Sequence, residues 1–212
     1  MSIVIAIDGP TASGKGTIAK LLAAHYQLPL MDTGLLYRQV AYDFLQSGAA
    51  ADDQQAVIDI AHKLAANYQP VENDLPLRSE PVSQQASRGA SIPEVRKALH
   101  ELQVSFSQQP QGAILDGRDI GTVICPDAPV KLFITASAEV RAERRTKQLQ
   151  SQGIAVTYEA VLQELRDRDA RDLERAIAPT VPASDALVID TSTLTIQEVL
   201  EIAKARIDST LA

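Results

Sequence analysis

The sequence predicts an α/β fold: a five-stranded parallel sheet flanked by helices, with an inserted unit and a short helical lid. Three observations lead there. Five short apolar runs have the continuous hydrophobicity of strands buried on both faces: Ile3-Val4-Ile5-Ala6-Ile7, Leu28-Pro29-Leu30-Met31, Gly112-Ala113-Ile114-Leu115, Val130-Lys131-Leu132-Phe133-Ile134 and Ala186-Leu187-Val188-Ile189. Helical spacing fills the intervals between them. The interval between the second and third runs is far longer than a crossover needs, so it has room for a unit of its own.

The first strand leads into Gly9-Pro10-Thr11-Ala12-Ser13-Gly14-Lys15-Gly16-Thr17, and a helix with one apolar face follows. Strand, glycine-rich loop with Gly-Lys, then helix is the phosphate-binding arrangement. Small residues let successive backbone N–H groups turn onto a polyphosphate. Gly9 and Gly14 have no Cβ to block its approach. The helix start adds unpaired N–H groups and a positive dipole end, and the Lys15 ammonium reaches the phosphates. The pattern G-x-x-x-x-G-K-[ST] departs only at its last position, where Gly16 precedes Thr17. A chance strand–turn–helix connection does not explain a lysine between two glycines at a helix start.

The second strand ends at Asp32-Thr33-Gly34, a small polar turn where ligands sit in open α/β sheets. A helix from Leu35 to about Gln46 carries Tyr37 and Arg38 in its first turn and stops at Gly48. Asp52 or Asp53 caps the next helix, Gln54 to about Ala66. Pro70, Pro76 and Pro81 then punctuate Asn67 to about Gln85, including Pro70-Val71-Glu72, which reads as a small unit of short strands and turns. Ala86–Ala90 reads as a helical piece, and a helix capped from Ser91 starts at Pro93. The third strand ends in Asp116-Gly117-Arg118-Asp119. A charged helix from about Ala138 to Gln150, a second from about Tyr158 to Arg175, and a terminal helix started by Thr193 or Thr195 complete the chain. The expected core is residues 1–36 and 109–212 with a lid at about 141–160. The insertion is 37–108, with its strand-rich piece at about 67–85.

Composition narrows the function. The formal net charge of −7 disfavours a general nucleic-acid binder. No apolar run approaches the roughly 20 residues of a membrane span, and the N-terminal run has no basic residues before it, so a cytoplasmic protein is expected. Cys125 is the only cysteine and reads as a buried structural thiol. His25, His62 and His100 lie on helical segments without metal-ligand spacing.

The phosphate loop, the Asp32-Thr33-Gly34 turn with Tyr37 and Arg38, and Asp116–Asp119 all follow parallel strands, so they are expected at one crevice. Asp116 ends its strand as a Walker B carboxylate does, which suits a water-mediated hold on Mg²⁺. Asp8 competes for a polar role, although a turn residue stabilising the loop backbone is the better reading. Arg141, Arg144, Arg145, Arg166, Arg168, Arg171 and Arg175 crowd one stretch. By composition they could be solvated faces with i,i+4 pairs. Yet Arg168, Asp172 and Arg175 share one helical face that should be apolar if it faced a core. Two arginine-bearing helices joined by a short loop can close over phosphates, which the planar guanidinium grips in pairs. Phosphoryl transfer needs that positioning and neutralisation more than a strong base.

These motifs together resemble the nucleoside monophosphate kinases, and most closely the bacterial cytidylate kinases. The resemblance rests on the phosphate loop with Gly after Lys, on Asp32-Thr33-Gly34 with Tyr37-Arg38, and on Ile92-Pro93-Glu94-Val95-Arg96. It rests further on Asp116-Gly117-Arg118-Asp119-Ile120-Gly121-Thr122-Val123, and on Arg168-Asp169-Ala170-Arg171-Asp172 through Arg175 to Pro179. It spans essentially the whole chain; Thr33 stands where Ser is frequent and keeps the hydroxyl. The resemblance implies ATP-dependent phosphorylation of CMP and dCMP by a monomer without nucleic-acid or membrane partners. It implies that Gly9–Thr17 and Arg144 bind ATP, and that Mg²⁺ is held by ATP oxygens and waters with help from Thr17 and Asp116. Lys15, Asp116, Arg118 and Arg175 would be catalytic. Arg38, Arg118 and Arg175 would hold the monophosphate. Ser87, Arg96 and Asp119 would read cytosine, Arg168 and Asp172 would hold the ribose, and Thr33 and Tyr37 would line the acceptor site. A kinase for another small acceptor and a nucleotide-dependent switch are the rivals; a guanine-reading switch would carry N-K-x-D, which the sequence lacks.

Overall fold

In the computed structural model, which describes residues 3–71 and 74–211, five strands form one parallel sheet in the order β2-β3-β1-β4-β5. The strands are β1 (Ile3–Asp8), β2 (Leu30–Asp32), β3 (Gly112–Asp116), β4 (Val130–Thr135) and β5 (Leu187–Asp190). β1 is central, in parallel register with β3 (Ile5 opposite Ile114) and with β4 (Ile7 opposite Leu132). That order puts the ends of β1 and β3 side by side although more than a hundred residues separate them.

The helices are α1 (Lys15–Tyr26), α2 (Thr33–Ser47), α3 (Gln54–Ala66), α4 (Glu80–Gly89), α5 (Pro93–Ser107), α6 (Ala138–Ser151), α7 (Tyr158–Leu173) and α8 (Ile196–Leu211). Their starts follow capping chemistry. Asp53 accepts from the Ala56 N–H, Ser137 from Val140 and Thr157 from Ala160. Thr195 and Glu198 form a reciprocal capping box before α8. The Ser91 hydroxyl, expected to cap α5, donates back to the Ser87 carbonyl.

The chain divides into two compact units, Met1–Met31 with Ser107–Ala212, and Asp32–Phe106. In the first, Ile5, Ile7, Ile114, Leu132 and Ile134 of the sheet pack with Ile18 and Leu22 of α1 and Val199, Ala203 and Ile207 of α8. Each large side chain fully buried there contributes about 1.5–3 kcal/mol. Ala142, Leu149, Val161 and Leu165 make a separate small cluster that joins α6 to α7, with Ala12 of the loop against it. In the second unit α2 packs on α4 through Ala41, Val82 and Ala86, with Tyr37 and Tyr42 beside them.

The strand-rich piece expected at 67–85 is not there. The described residues of that stretch hold a 3₁₀ turn, Pro76–Arg78, and the first turns of α4, and no strand; Glu72 lies outside the described residues. Pro81, read as punctuation of strands, sits in the first turn of α4, where its missing N–H costs nothing. α7 ends at Leu173, so Arg175 lies beyond the helix and not on its face.

Candidate active site

Gly14 takes a left-handed conformation at the start of α1 and offers no side chain to the helix's first N–H groups. Those donors are what an anion would take up. The Lys15 ammonium folds back to the Pro10 carbonyl at 3.1 Å and is mostly buried. The two glycines do different work. A Cβ at Gly14 would meet nothing within 4 Å, as expected of a residue leaving room for a ligand. A Cβ at Gly9 would stand 2.0 Å from the Ile134 carbonyl oxygen. Glycine is therefore required there by the β4 backbone.

Asp116 ends β3 beside the loop, and a Cβ on Gly16 would come within 3.2 Å of its Oδ2. A Cβ there, where the usual pattern has Ser or Thr, would press on that carboxylate. Arg118 joins three parts of the first unit. Its Nη2 donates to Thr11 Oγ1 at 2.8 Å, its Nη1 to the Gly117 carbonyl, and its Nε to Asp172 at 3.3 Å. Asp172 also lies 3.9 Å from the Arg175 guanidinium. Burial works to raise the Asp172 pKa, but Arg118, Arg168 and Arg175 outweigh it and hold the carboxyl below its ordinary value. Arg175 additionally donates to Thr180 Oγ1 and to the Asp172 carbonyl near the end of α7.

The arginine cluster thus divides by task. Arg118, Arg168 and Arg175 surround one carboxylate. Arg141 is buried and clamps α6 in place, donating to Asp169 through both terminal nitrogens and to the Ala136 and Thr11 carbonyls. Arg166 makes an exposed pair with Glu139, of the kind worth about 0–1 kcal/mol. Arg144 donates to the Thr191 carbonyl and hydroxyl, and the Thr191 hydroxyl donates to the Ser13 carbonyl. Thr191 carried no signal in the sequence, and Asp169 stood in the arginine-rich motif without a role of its own; their partners identify both.

Asp8 does not stabilise the loop backbone as expected. Its two oxygens accept the Ile120 and Gly121 N–H groups at 2.8 and 2.7 Å. Burial pushes its pKa up to about 7 against those two hydrogen bonds, and the Asp119 and Asp116 charges add to the rise. Cys125 is buried, as expected, and burial raises its thiol pKa.

The second unit holds its own polar set. Arg38 donates to Ser83 Oγ at 2.6 Å and to the Leu77 carbonyl at 3.0 Å. The Arg96 guanidinium lies 5.8 Å from the centre of the Tyr37 ring, a cation–π distance. Thr33, Ser87 and Arg96 are buried. Among the described residues no three His, Cys, Asp or Glu side chains gather to hold a metal by themselves. The donor set, one carboxylate beside the loop and one hydroxyl at Thr17, suits a cation carried mainly by other oxygens.

A central parallel strand, a Gly-Lys loop opening α1, and a carboxylate ending the neighbouring strand define a P-loop kinase of the α/β class. The chain matches the family model described as "Cytidylate kinase" over residues 5–209 and belongs to that family. It is 50% identical over 207 residues to a cytidylate kinase of Methylocella silvestris, covering 98% of this chain and 94% of the relative. It is 50% identical over 206 residues to one from Azorhizobium caulinodans, covering 97% and 98%. The fold also resembles a crystal structure of an uncharacterized protein from Eubacterium ventriosum, with TM-score 0.56, 18% identity and coverage of 98% and 99%.

Proposed function

We infer that this chain transfers the terminal phosphoryl group of ATP to CMP and dCMP, giving CDP and dCDP for pyrimidine nucleotide metabolism. The observation that carries this is family membership over residues 5–209. It is supported by the Gly-Lys loop tied through Thr11 to the arginines around Asp172.

In this reading Gly9–Thr17 and Arg144 bind ATP, and Lys15 neutralises the transferring end. Arg118 and Arg175 hold the monophosphate and the group in transit, with Arg38 of the second unit assigned to the same phosphate. Fixed cations do most to lower the barrier of such a reaction, because charge moves between oxygens that they already face. Mg²⁺ would be held by ATP oxygens and waters, with Thr17 and Asp116 as the protein's contribution. Arg168 and Asp172 take the ribose, Thr33 and Tyr37 line the acceptor site, and Ser87, Arg96 and Asp119 read the base. In this reading the Asp119 carboxylate, which is buried, accepts the exocyclic amine of cytosine and would meet a carbonyl in uracil. That mismatch costs about 1–3 kcal/mol. Residues of about 141–160, from α6 into the start of α7, would act as the lid. A cytoplasmic monomer is the accompanying expectation; no described helix is long and apolar enough to cross a membrane.

ADP formation from Mg-ATP with CMP, dCMP, UMP, AMP, GMP and shikimate tests the reading. Turnover with CMP and dCMP well above the others is expected. Preference for a different acceptor would keep the kinase and overturn the base assignment.

A further inference from the structure

Beyond Asp116 the chain leaves the sheet. Gly117 N–H still donates to the Ile7 carbonyl at 2.9 Å, as a last rung beside β1. Arg118 and Asp119 follow, and then a single π-helical turn, Ile120–Ile124. That turn is closed at its far end by N–H groups of Val123 and Ile124 on the Asp119 carbonyl and of Cys125 on the Ile120 carbonyl. Its first N–H groups, on Ile120 and Gly121, have no carbonyl of the turn to bond. Both go to one side chain, Asp8, which is 5% exposed and stands at the end of β1. Underneath, Gly121 rests on the stem of Lys131, where a Cβ would come within 3.2 Å of its Cδ. The Lys131 ammonium is itself fixed by Asp185 and the Pro126 carbonyl. The turn is therefore backed by a side chain with fixed partners and anchored at both of its first N–H groups, which restricts the two residues before it.

We propose that Asp8 is a positioning residue for the acceptor-reading pair Arg118–Asp119, acting through its two hydrogen bonds to the Ile120 and Gly121 N–H groups. This rests on the reading of Arg118 and Asp119 as acceptor contacts. Asp8 bonds the turn that follows Arg118 and Asp119 although the phosphate loop starts one residue later, so its loss should affect CMP before ATP. A carboxyl group is suited to the task because its two oxygens can each accept from one of two neighbouring N–H groups. Asparagine keeps one acceptor and alanine neither.

The test uses Asp8→Asn and Asp8→Ala in the full chain, with amide exchange across residues 117–125 and kinetics with Mg-ATP and CMP or UMP. Exchange at Ile120 and Gly121 should accelerate in both variants, more in the alanine one. The KM for CMP should rise by about tenfold to a hundredfold in Asp8→Ala and less in Asp8→Asn. The CMP-to-UMP ratio of kcat/KM should fall, and the KM for ATP should stay within about twofold. Unchanged exchange at Ile120 and Gly121 overturns the anchor. Parallel rises in both KM values, or an unchanged CMP-to-UMP ratio, overturn the acceptor-specific role in favour of a general structural one. If Asp8→Ala does not fold, Asp8→Asn carries every one of these readouts. Absence of CMP turnover in the unmodified chain would remove the functional reading alone, because the exchange measurement still decides whether the anchor exists.

Discussion

Replacing Gly9 by alanine should damage the fold, while the same change at Gly14 should damage ligand binding. At Gly9 the backbone φ is +147°, and an added Cβ would stand 2.0 Å from the Ile134 carbonyl oxygen and 3.0 Å from its carbon. These are atoms of a central strand paired on both sides, so no side-chain rotation relieves the overlap. The backbone conformation alone costs an L-residue about 1–3 kcal/mol. Forcing packed backbone apart adds about 1–3 kcal/mol. The total of about 2–6 kcal/mol is a large share of the roughly 5–15 kcal/mol that holds a domain together. For a chain of this length it lowers Tm by about 5–20 °C. At Gly14 φ is +88° with nothing within 4 Å, so only the left-handed cost remains, about 1–2 kcal/mol. Thermal and urea unfolding of both variants, with Mg-ATP titration of each, makes the comparison. A Gly9→Ala chain within about 1 kcal/mol of the original, or a Gly14→Ala chain less stable than it, would refute the assignment of Gly9 to the sheet.

Two further outcomes follow from the site. Asp119→Ala should lose the preference for CMP over UMP, by about tenfold or more, while its rate on UMP changes less; equal losses on both acceptors in kcat/KM would remove Asp119 from base reading. Asp172 has a folded pKa held below its unfolded value by three arginines. Its stabilising contribution is therefore full above the ordinary carboxylate range and lost as pH falls through the lower folded pKa. Asp172→Asn should cost about 3–5 kcal/mol at neutral pH, because buried arginines lose their counter-charge. The gap between the two denaturation midpoints should close in acid, and parallel curves from pH 7 to 2 would contradict the sign.

Much of this protein follows from local chemistry, which the sequence displays directly. The phosphate loop, the start of α3 at Asp53 and the buried inner strands β1, β3 and β4 each depend on neighbours within a few residues, whereas β5, expected to be buried on both faces, is an edge strand that leaves Val188 half exposed. The motifs also supplied the residues proposed as acceptor contacts, because a resemblance travels with order along the chain. Where local signals had two readings, the wrong one could win. Pro81 fits a strand edge and a helix start equally well, and only the packing of Val82 and Ala86 on α2 selects the helix.

The remaining decisions belong to residues far apart in sequence. Asp8 finds its partners 112 and 113 positions away, and it does so because β3 pairs beside β1. Gly9 is required by a carbonyl of β4 as well as by the backbone conformation of its own loop. Arginines that look alike in composition separate by the carboxylates the fold brings to them: Asp169 takes Arg141 into structure, and Asp172 gathers Arg118 and Arg175. Hydrophobic period and capping are properties of a segment and can be read along the chain. Strand order and charge pairing are properties of what collapse brings together, and exist only once the sheet has formed.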